Sequence, residues 1–305
     1  MKVIQKQHPA GGRVVALGMF DGVHLGHRAL LNTAKQYSRE HGIPLRVCTF
    51  SRHPLEVIRP ECTPDQLSTI PEKAVQMYGL GVDEMELMPF DRRTADMEPE
   101  AFLEQLRSSM KLCAVVAGWN YTFGKHGKGN ASMLLEDGRK HGYDVLIEPP
   151  ARMDDGTVIS STFVRQKLKD GDIEDVSELL GYDYMLSGTV SHGKHRGQGL
   201  GFPTANIEPW RKKALPKYGV YTCLLETDTE TLPAVVNIGV QPTMPSGRVT
   251  VEAHVLEESP ELYGQKVRIS LMKMLREEKR FGSPDELREQ ITRDREEALR
   301  LFDMA

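Results

Sequence analysis

The chain has 305 residues, 39% of them apolar and 27% charged, with a formal net charge of −4. That length suits about two domains, each with its own core, and the balance of charge gives no reason to expect nucleic acid or an acidic membrane as a partner. Cys48, Cys62, Cys113 and Cys223 lie far apart with no CxxC pair, which excludes a zinc or disulfide framework and reads as small buried hydrophobes in a reducing cytoplasm.

The N-terminal stretch MKVIQKQHPAGG lacks the apolar core of a signal peptide, and no run approaches a transmembrane span. A cytoplasmic location is expected. Val14 to Leu17 reads as a strand. A turn carrying Gly18, Asp21, Gly22, His24, Gly26 and His27 follows, and then a helix opening at Arg28 with Ala29, Leu30, Leu31, Ala34 and Tyr37 on its apolar face. Strand, glycine-rich turn and helix start present free N–H groups and a positive helix end to an anion. Neither GxxxxGK[ST] nor GxGxxG is present, so the P-loop and the dinucleotide fingerprint both fail, and nicotinamide redox chemistry fails with the second. What remains is His24-Leu25-Gly26-His27, two imidazoles able to donate to a phosphate whose charge builds up during transfer. The competing readings are a surface histidine pair, or a metal site for which the neighbourhood offers only Asp21.

Strand and helix then alternate. Leu45 to Phe50 is a strand, Pro71 begins a helix ending near Gly79, Glu84 to Met88 is a strand, and Pro99 to Met110 is a helix. Cys113 to Gly118 is a continuous apolar run, as in a central parallel strand buried on both faces. A helix over Ala131 to His141 and a strand over Val145 to Glu148 complete the set. The fold class expected is α/β, with a doubly wound parallel sheet. Ligands of such sheets bind beyond the carboxyl ends of the strands, where Gly18 to His27, the SRHP stretch with His53 and Pro54, and Trp119 to Asn130 should meet. Asn120, Trp119, Tyr121 and Phe123 suit a planar ring, and Lys125, His126 and Lys128 suit phosphate. Core packing and a solvated loop explain the same residues equally well. Ser160, Ser161, Thr162 and Arg165 open the next helix, either as caps or as a second phosphate clamp.

A helix from Asp170 to Leu180 ends at Gly181, a C-cap and linker. Beyond it the period changes: Tyr184 to Val190, Gly219 to Leu225, Leu232 to Ile238, Val249 to Leu256 and Val267 to Met274 read as strands of a small antiparallel β-barrel. A terminal helix follows, with Ser283 as cap, Pro284 first and Glu286 closing a capping box. The division expected is residues 1–183 and 184–305. The stretch holding Gly193, Gly199, Gly201, Pro203, Thr204 and Asn206 reads as a flap over phosphate with Thr204 and Asn206 as oxygen ligands for Mg²⁺, or simply as a mobile loop. Val249, Val251, Ala253 and Val255 alternate toward the core, placing Thr250, Glu252 and His254 opposite. Glu252 reads as a base for a substrate hydroxyl or as a solvated residue.

The motifs GMFDGVHLGH, TFSRHP, GWNYTFGKHGKGN and ISSTFVRQKLKDGDIEDVSELLG resemble, in order and spacing, the adenylyltransferase half of the bacterial bifunctional riboflavin kinase/FAD synthetase family. GKHRGQGLGFPTANI, LPKYGVY, VVNIGVQPT and LREEKRFGSPDELREQITRD resemble its riboflavin kinase half. The resemblance implies an enzyme that phosphorylates riboflavin to FMN and adenylylates FMN to FAD, with two ATP and Mg²⁺. It implies Gly18, Phe20, Asp21, His24, His27, Ser160, Ser161, Thr162 and Arg165 at ATP, with His53, Pro54, Asn120 and Phe123 near FMN. In the second half it implies Gly193, Gly199, Gly201, Pro203, Thr204 and Asn206 at Mg²⁺-ATP, Glu252 as base, and Arg276, Glu277 and Phe281 over the flavin. His24, His27, Arg165 and Glu252 would carry the chemistry. The partners implied are small molecules, in a monomer or weak homo-oligomer. The chain departs from the family pattern at Gln241, where arginine is usual, at Tyr182-Asp183, in the short segment after VVNIGVQPT, and at Ala253. The alternatives are a paralogue retaining adenylyl transfer alone and a non-enzymatic flavin or nucleotide sensor.

Overall fold

The computed structural model describes residues 2–4, 11–191, 204–240, 249–256 and 261–303, and it divides into two compact units, Met1–Ser161 and Thr162–Ala305. In chain order the first unit holds β1 (Lys2–Ile4), β2 (Gly12–Leu17), α1 (Leu25–His41), β3 (Leu45–Phe50), α2 (Leu55–Ile58) and α3 (Ile70–Gly79). These are followed by β4 (Glu84–Met88), α4 (Arg92–Ala95), α5 (Pro99–Ser109), β5 (Lys111–Gly118), α6 (Ala131–His141) and β6 (Asp144–Glu148). The strands form a parallel sheet in the order β1-β4-β3-β2-β5-β6. The five strands read from the sequence are present, and the sixth, β1, is a three-residue edge strand too short to show periodicity.

Both faces are covered. Val14, Ala16, Leu45, Val47, Ala114 and Val116 pack with Leu30, Leu31 and Ala34 of α1 and Met77 of α3. Val15, Leu17, Val115 and Ala117 pack on the opposite face with Phe102, Leu103 and Leu106 of α5 and Leu134 of α6. Ala114 through Ala117 have no exposed surface, which is why this strand reads as an unbroken apolar run. Each such side chain contributes roughly 1.5–3 kcal/mol of transfer free energy if large. Thr69 and Glu72 close a capping box at α3, with Pro71 in its first turn. One charged cluster interrupts the sheet: Arg46 is 1% exposed and bridges Glu84 at 2.7 Å and Glu86 at 3.1 Å, so each buried charge has a partner.

The second unit takes in α7 (Ser161–Asp170) from Thr162 onward, then α8 (Ile173–Leu180), β7 (Tyr184–Ser191), β8 (Ala205–Pro209), β9 (Gly219–Glu226), β10 (Thr231–Val240), β11 (Val249–Val255), β12 (Lys266–Glu277) and α9 (Pro284–Asp303). The helix expected over Asp170–Leu180 is α8, which opens at Ile173 because Gly171, at φ +89°, ends α7 just before it. Gly181 caps α8 at φ +73°, donating to Ser177 O at 2.8 Å. The six strands close a barrel in the order β10-β11-β8-β7-β12-β9, every pair antiparallel. Closure needs β8, a strand that the sequence reading did not count among the five of the barrel. At α9, Ser283 Oγ accepts from Glu286 N at 3.2 Å, and the Glu286 carboxylate takes the N–H of Gly282 at 2.8 Å, one residue earlier than a standard box. All four cysteines are free thiols. Cys48 and Cys223 are buried as expected, whereas Cys62 is exposed and Cys113 half-buried.

Candidate functional site

Strand order reverses between β2 and β5, the place where open parallel sheets bind ligands. The turn from Met19 to His24, leaving β2, is strained there: Phe20 and Val23 hold φ of +50° and +40°, which costs a side-chain-bearing residue about 1–2 kcal/mol. Hydrogen bonds over-determine it. The Asp21 carboxylate accepts from Leu67 N at 3.1 Å and Ser68 N at 3.0 Å, and Gly22 N donates to Ser68 Oγ at 3.0 Å. The Met19 carbonyl accepts from Thr49 Oγ1 at 3.0 Å and from Lys73 Nζ at 2.6 Å. Ser161 Oγ donates to the Asp21 carbonyl at 2.9 Å, joining the serine-threonine segment to the histidine turn. Asp21 thus serves the turn as a backbone acceptor. Among the described residues no cluster of histidine, cysteine and carboxylate could hold a metal.

His24 is the N-cap of α1: its Nδ1 accepts from His27 N at 3.4 Å. The helix therefore opens at Leu25, not Arg28. The sequence reading placed the start late because imidazole is not among the usual caps. An accepting Nδ1 leaves the hydrogen of neutral His24 on Nε2. A Cβ on Gly26 would stand 3.2 Å from the His24 ring and 3.6 Å from the Ile159 carbonyl, so a side chain here would press the ring that folds back over the helix end. The His24 and His27 rings stack with centroids 3.7 Å apart and planes 20° apart. The Phe20 ring, fully buried, lies 5.3 Å from His27. His27 Nδ1 is shielded from water and has no hydrogen-bond partner among the described residues. Burial, then the charges of His24 and Lys73, pull the His27 pKa well below that of an ordinary imidazole, so the ring is neutral at neutral pH. Shielded imidazoles over the positive end of a helix with no acidic residue in its first turn can receive an anion and follow the growth of its charge.

Lys73 is a residue that sequence reasoning missed. It is 4% exposed on α3, and its pKa is lowered to about 8 by burial, against the attraction of Asp21. The signal was present: Ile70, Lys73, Ala74 and Met77 share one face at helical spacing, and a lysine there occupies a core position.

The flavin candidates are distributed differently. His53 turns its ring onto its own backbone, Nδ1 accepting from Leu55 N at 3.2 Å, next to Pro54 at the start of α2. Trp119 and Asn120 follow β5, exposed, and Trp119 N donates to Glu148 O at 2.9 Å. Phe123 is 6% exposed and packs in the core, its centroid 5.3 Å from Phe102. Ser160 precedes α7, and Thr162 and Arg165 lie on it in the second unit, where Arg165 is half-buried.

In the barrel, Gly193, Gly199, Gly201, Pro203 and Gln241 lie outside the described residues. Asn206 of β8 pairs with Glu252 of β11, and Glu252 pairs with Asn237 of β10. Cross-strand partners point to the same face, so carboxylate and amides form a row. Val251, Ala253 and Val255 are buried and the residues between them half-buried, which puts that row on the outward face of the wall. Asn237 was not singled out in the sequence. Thr204 stands two residues before Asn206, half-buried. The Arg276 guanidinium grips Asp294 of α9 at 2.8–3.1 Å and lies 5.7 Å from the Phe281 ring centroid, while Glu277 accepts from Lys217 Nζ at 2.6 Å.

A doubly wound parallel sheet with a histidine-capped helix at its switch point, followed by a closed antiparallel barrel with a carboxylate among amides, defines a two-part protein of the nucleotide-handling α/β class. The FAD synthetase family model matches residues 6–163 and the riboflavin kinase family model residues 180–302. The chain is 35% identical over 313 residues to the bifunctional riboflavin kinase/FMN adenylyltransferase of Bacillus subtilis, and 36% identical over 309 residues to that of Escherichia coli K12, each match covering 99% of this chain and 98% of the relative. A solved Streptococcus pneumoniae structure described as a macrolide-efflux protein shares the fold with a TM-score of 0.86 at 30% identity, covering 96% of this chain and 97% of that one. Among the described residues here, no helix is long and apolar enough to cross a membrane. The chain belongs to the bacterial bifunctional riboflavin kinase/FMN adenylyltransferase family.

Proposed function

We infer that the chain converts riboflavin to FMN with its C-terminal half and FMN to FAD with its N-terminal half, consuming one ATP in each step and releasing ADP and then pyrophosphate. Besides family membership, the observation that supports the adenylyl-transfer reading is the 2.9 Å hydrogen bond from Ser161 Oγ to the Asp21 carbonyl, which brings Ser161 to the histidine turn from 140 residues away in sequence. In that reading an FMN phosphate oxygen attacks the α-phosphorus of ATP in line and pyrophosphate leaves. The protein supplies position and charge neutralisation with no covalent nucleophile. His24 Nε2–H and the His27 ring act as donors to the transferring phosphate, with Ser160, Ser161, Thr162 and Arg165 as a second clamp. Gly18, Phe20 and Asp21 shape the turn, and His53, Pro54, Asn120 and Phe123 border the FMN side.

In the barrel, Glu252 takes the proton of the riboflavin 5′-hydroxyl as it attacks the γ-phosphorus of ATP. Asn206 beside Glu252 in register, with Thr204 close by in sequence, is a hard-oxygen set suited to Mg²⁺, which when bound would neutralise phosphate charge. Arg276, Glu277 and Phe281 are assigned to the flavin side, and the glycine-rich stretch from Gly193 to Pro203 to the ATP phosphates. We place the functional division near residue 183, and expect small-molecule partners, a cytoplasmic location and a monomer or weak homo-oligomer.

Incubation of the purified chain with riboflavin, ATP and Mg²⁺, and separately with FMN, ATP and Mg²⁺, tests the reading once the flavins are resolved chromatographically. FMN and FAD from the first mixture and FAD from the second are expected. FAD from FMN alone would reduce the protein to an adenylyltransferase, and no turnover from either would make it a binding protein.

A further inference from the structure

We propose that Lys73 is a positioning residue for adenylyl transfer: through the Met19 carbonyl it holds the Phe20–Val23 turn in the form that presents His24 and His27, and its charge sets the field at that pair. The proposal rests on the reading of the N-terminal half as the adenylyltransferase.

A lysine at a core position of α3 loses its hydration and gains little that a methionine would not supply. Among the described residues its hydrogen-bond acceptor is the Met19 carbonyl at 2.6 Å, whose other lone pair goes to Thr49 Oγ1 at 3.0 Å. That carbonyl belongs to the peptide unit entering Phe20, the first of the turn's two left-handed side-chain-bearing residues. Fixing its direction fixes the entry to the turn. The titratable and charged groups facing this spot are Asp21 from the turn, His24 and His27 from α1, and Lys73 itself from α3. Asp21 attracts the ammonium, but its two oxygens accept the N–H groups of Leu67 and Ser68. The interior behind the turn therefore carries a cation that a polyphosphate would compensate without reorganisation. With its pKa near 8, Lys73 is mostly charged at neutral pH, and that charge helps hold His27 neutral.

The experiment compares the full-length wild-type chain with Lys73→Met, Lys73→Gln and Lys73→Arg. It reads kcat and KM for FAD formation from FMN and ATP, FMN formation from riboflavin in the same preparations, and the His27 titration midpoint by imidazole NMR. Lys73→Met is expected to lower kcat for FAD formation at least tenfold, to change the KM for ATP less than threefold, and to leave FMN formation within twofold. Its His27 midpoint moves up in pH. Lys73→Gln, uncharged but still able to donate to Met19, raises the midpoint likewise and carries the test should the methionine variant not fold, whereas Lys73→Arg keeps the midpoint low. A kcat within threefold of wild type in the uncharged variants, or a loss of kcat with the midpoint unmoved, overturns the proposal. Absence of FAD formation by the wild type would instead overturn the adenylyltransferase reading, and the midpoint would still decide whether Lys73 sets the field at the pair.

Discussion

The His24 ring lies nearly parallel to the His27 ring, 3.7 Å away, while its Nδ1 accepts the His27 backbone N–H. Capping and stacking fix the two imidazoles as a unit, and the second is kept neutral by burial first and by neighbouring positive charge after it. With the folded pKa depressed below the unfolded value of about 6.5, the unfolded chain binds a proton that the folded first unit refuses. The His27 contribution to stability is therefore fully present above about pH 6.5 and is lost as pH falls from there toward the lowered folded value. Thermal unfolding of the first unit should worsen from pH 7.5 to 5.5 more steeply in the wild type than in His27→Gln. Equal slopes would mean that His27 titrates normally.

The same pair predicts an activity split. His27→Ala removes the ring that stacks on the cap and should lower FAD formation at least a hundredfold, about 2.7 kcal/mol of transition-state stabilisation. FMN formation should stay within twofold of wild type. Assays on one preparation with riboflavin and then FMN as substrate check this, and joint loss of both activities in a folded variant would contradict the two-site division.

Asp21 acts through the backbone. Its carboxylate accepts two buried N–H groups from residues 67 and 68, and leaving such donors without an acceptor costs about 1–3 kcal/mol each. Asp21→Ala should lower the unfolding free energy of the first unit by about 2–4 kcal/mol and release the Phe20 and Val23 strain, abolishing FAD formation. Denaturant unfolding followed by Trp119 fluorescence reads the first effect.

Much of this architecture was legible from periodicity alone. The strand at Glu84–Met88 and the helix at Ala131–His141 fall where alternation and capping residues place them, and Gly181 caps α8 as its position implies. What escaped were effects that only the tertiary fold creates. A three-residue edge strand carries no period, and β8 is a strand only because β7 and β11 flank it. His24 became a cap through a ring orientation that Gly26 permits. Arg46 and Lys73 sit buried inside apolar patterns because acidic or carbonyl partners from distant segments meet them there. Motif reading singled out Asp21 and Phe123 without showing that one is a backbone acceptor and the other a core residue.

Arg276 illustrates the same difference in the barrel. Its guanidinium makes a bidentate contact with Asp294, whose side chain is 7% exposed, and this pins α9 against β12. Asp294→Ala leaves the arginine half-buried without its partner and should cost about 3 kcal/mol of barrel stability. Differential scanning calorimetry should show the transition of the second unit shifted down with that of the first unchanged. If only the KM for riboflavin rises and the transition stays in place, the pair orders a flavin site and does not hold the helix.

Glu252 stands between Asn206 and Asn237 across three adjacent strands, so its carboxylate is flanked by groups that can hydrogen-bond without neutralising it. That arrangement suits the proposed base, which takes the hydroxyl proton as the hydroxyl attacks. Glu252→Gln preserves shape and hydrogen bonding but removes the proposed base, and should lower kcat for FMN formation by about 10²–10⁴-fold with FAD formation from FMN intact. Asn237→Ala should raise KM for ATP or riboflavin more than it lowers kcat, because an amide beside the base orients and does not accept the proton. A Glu252→Gln variant that phosphorylates riboflavin at more than a tenth of the wild-type rate would leave the proton to water and reduce the row to a structural ladder.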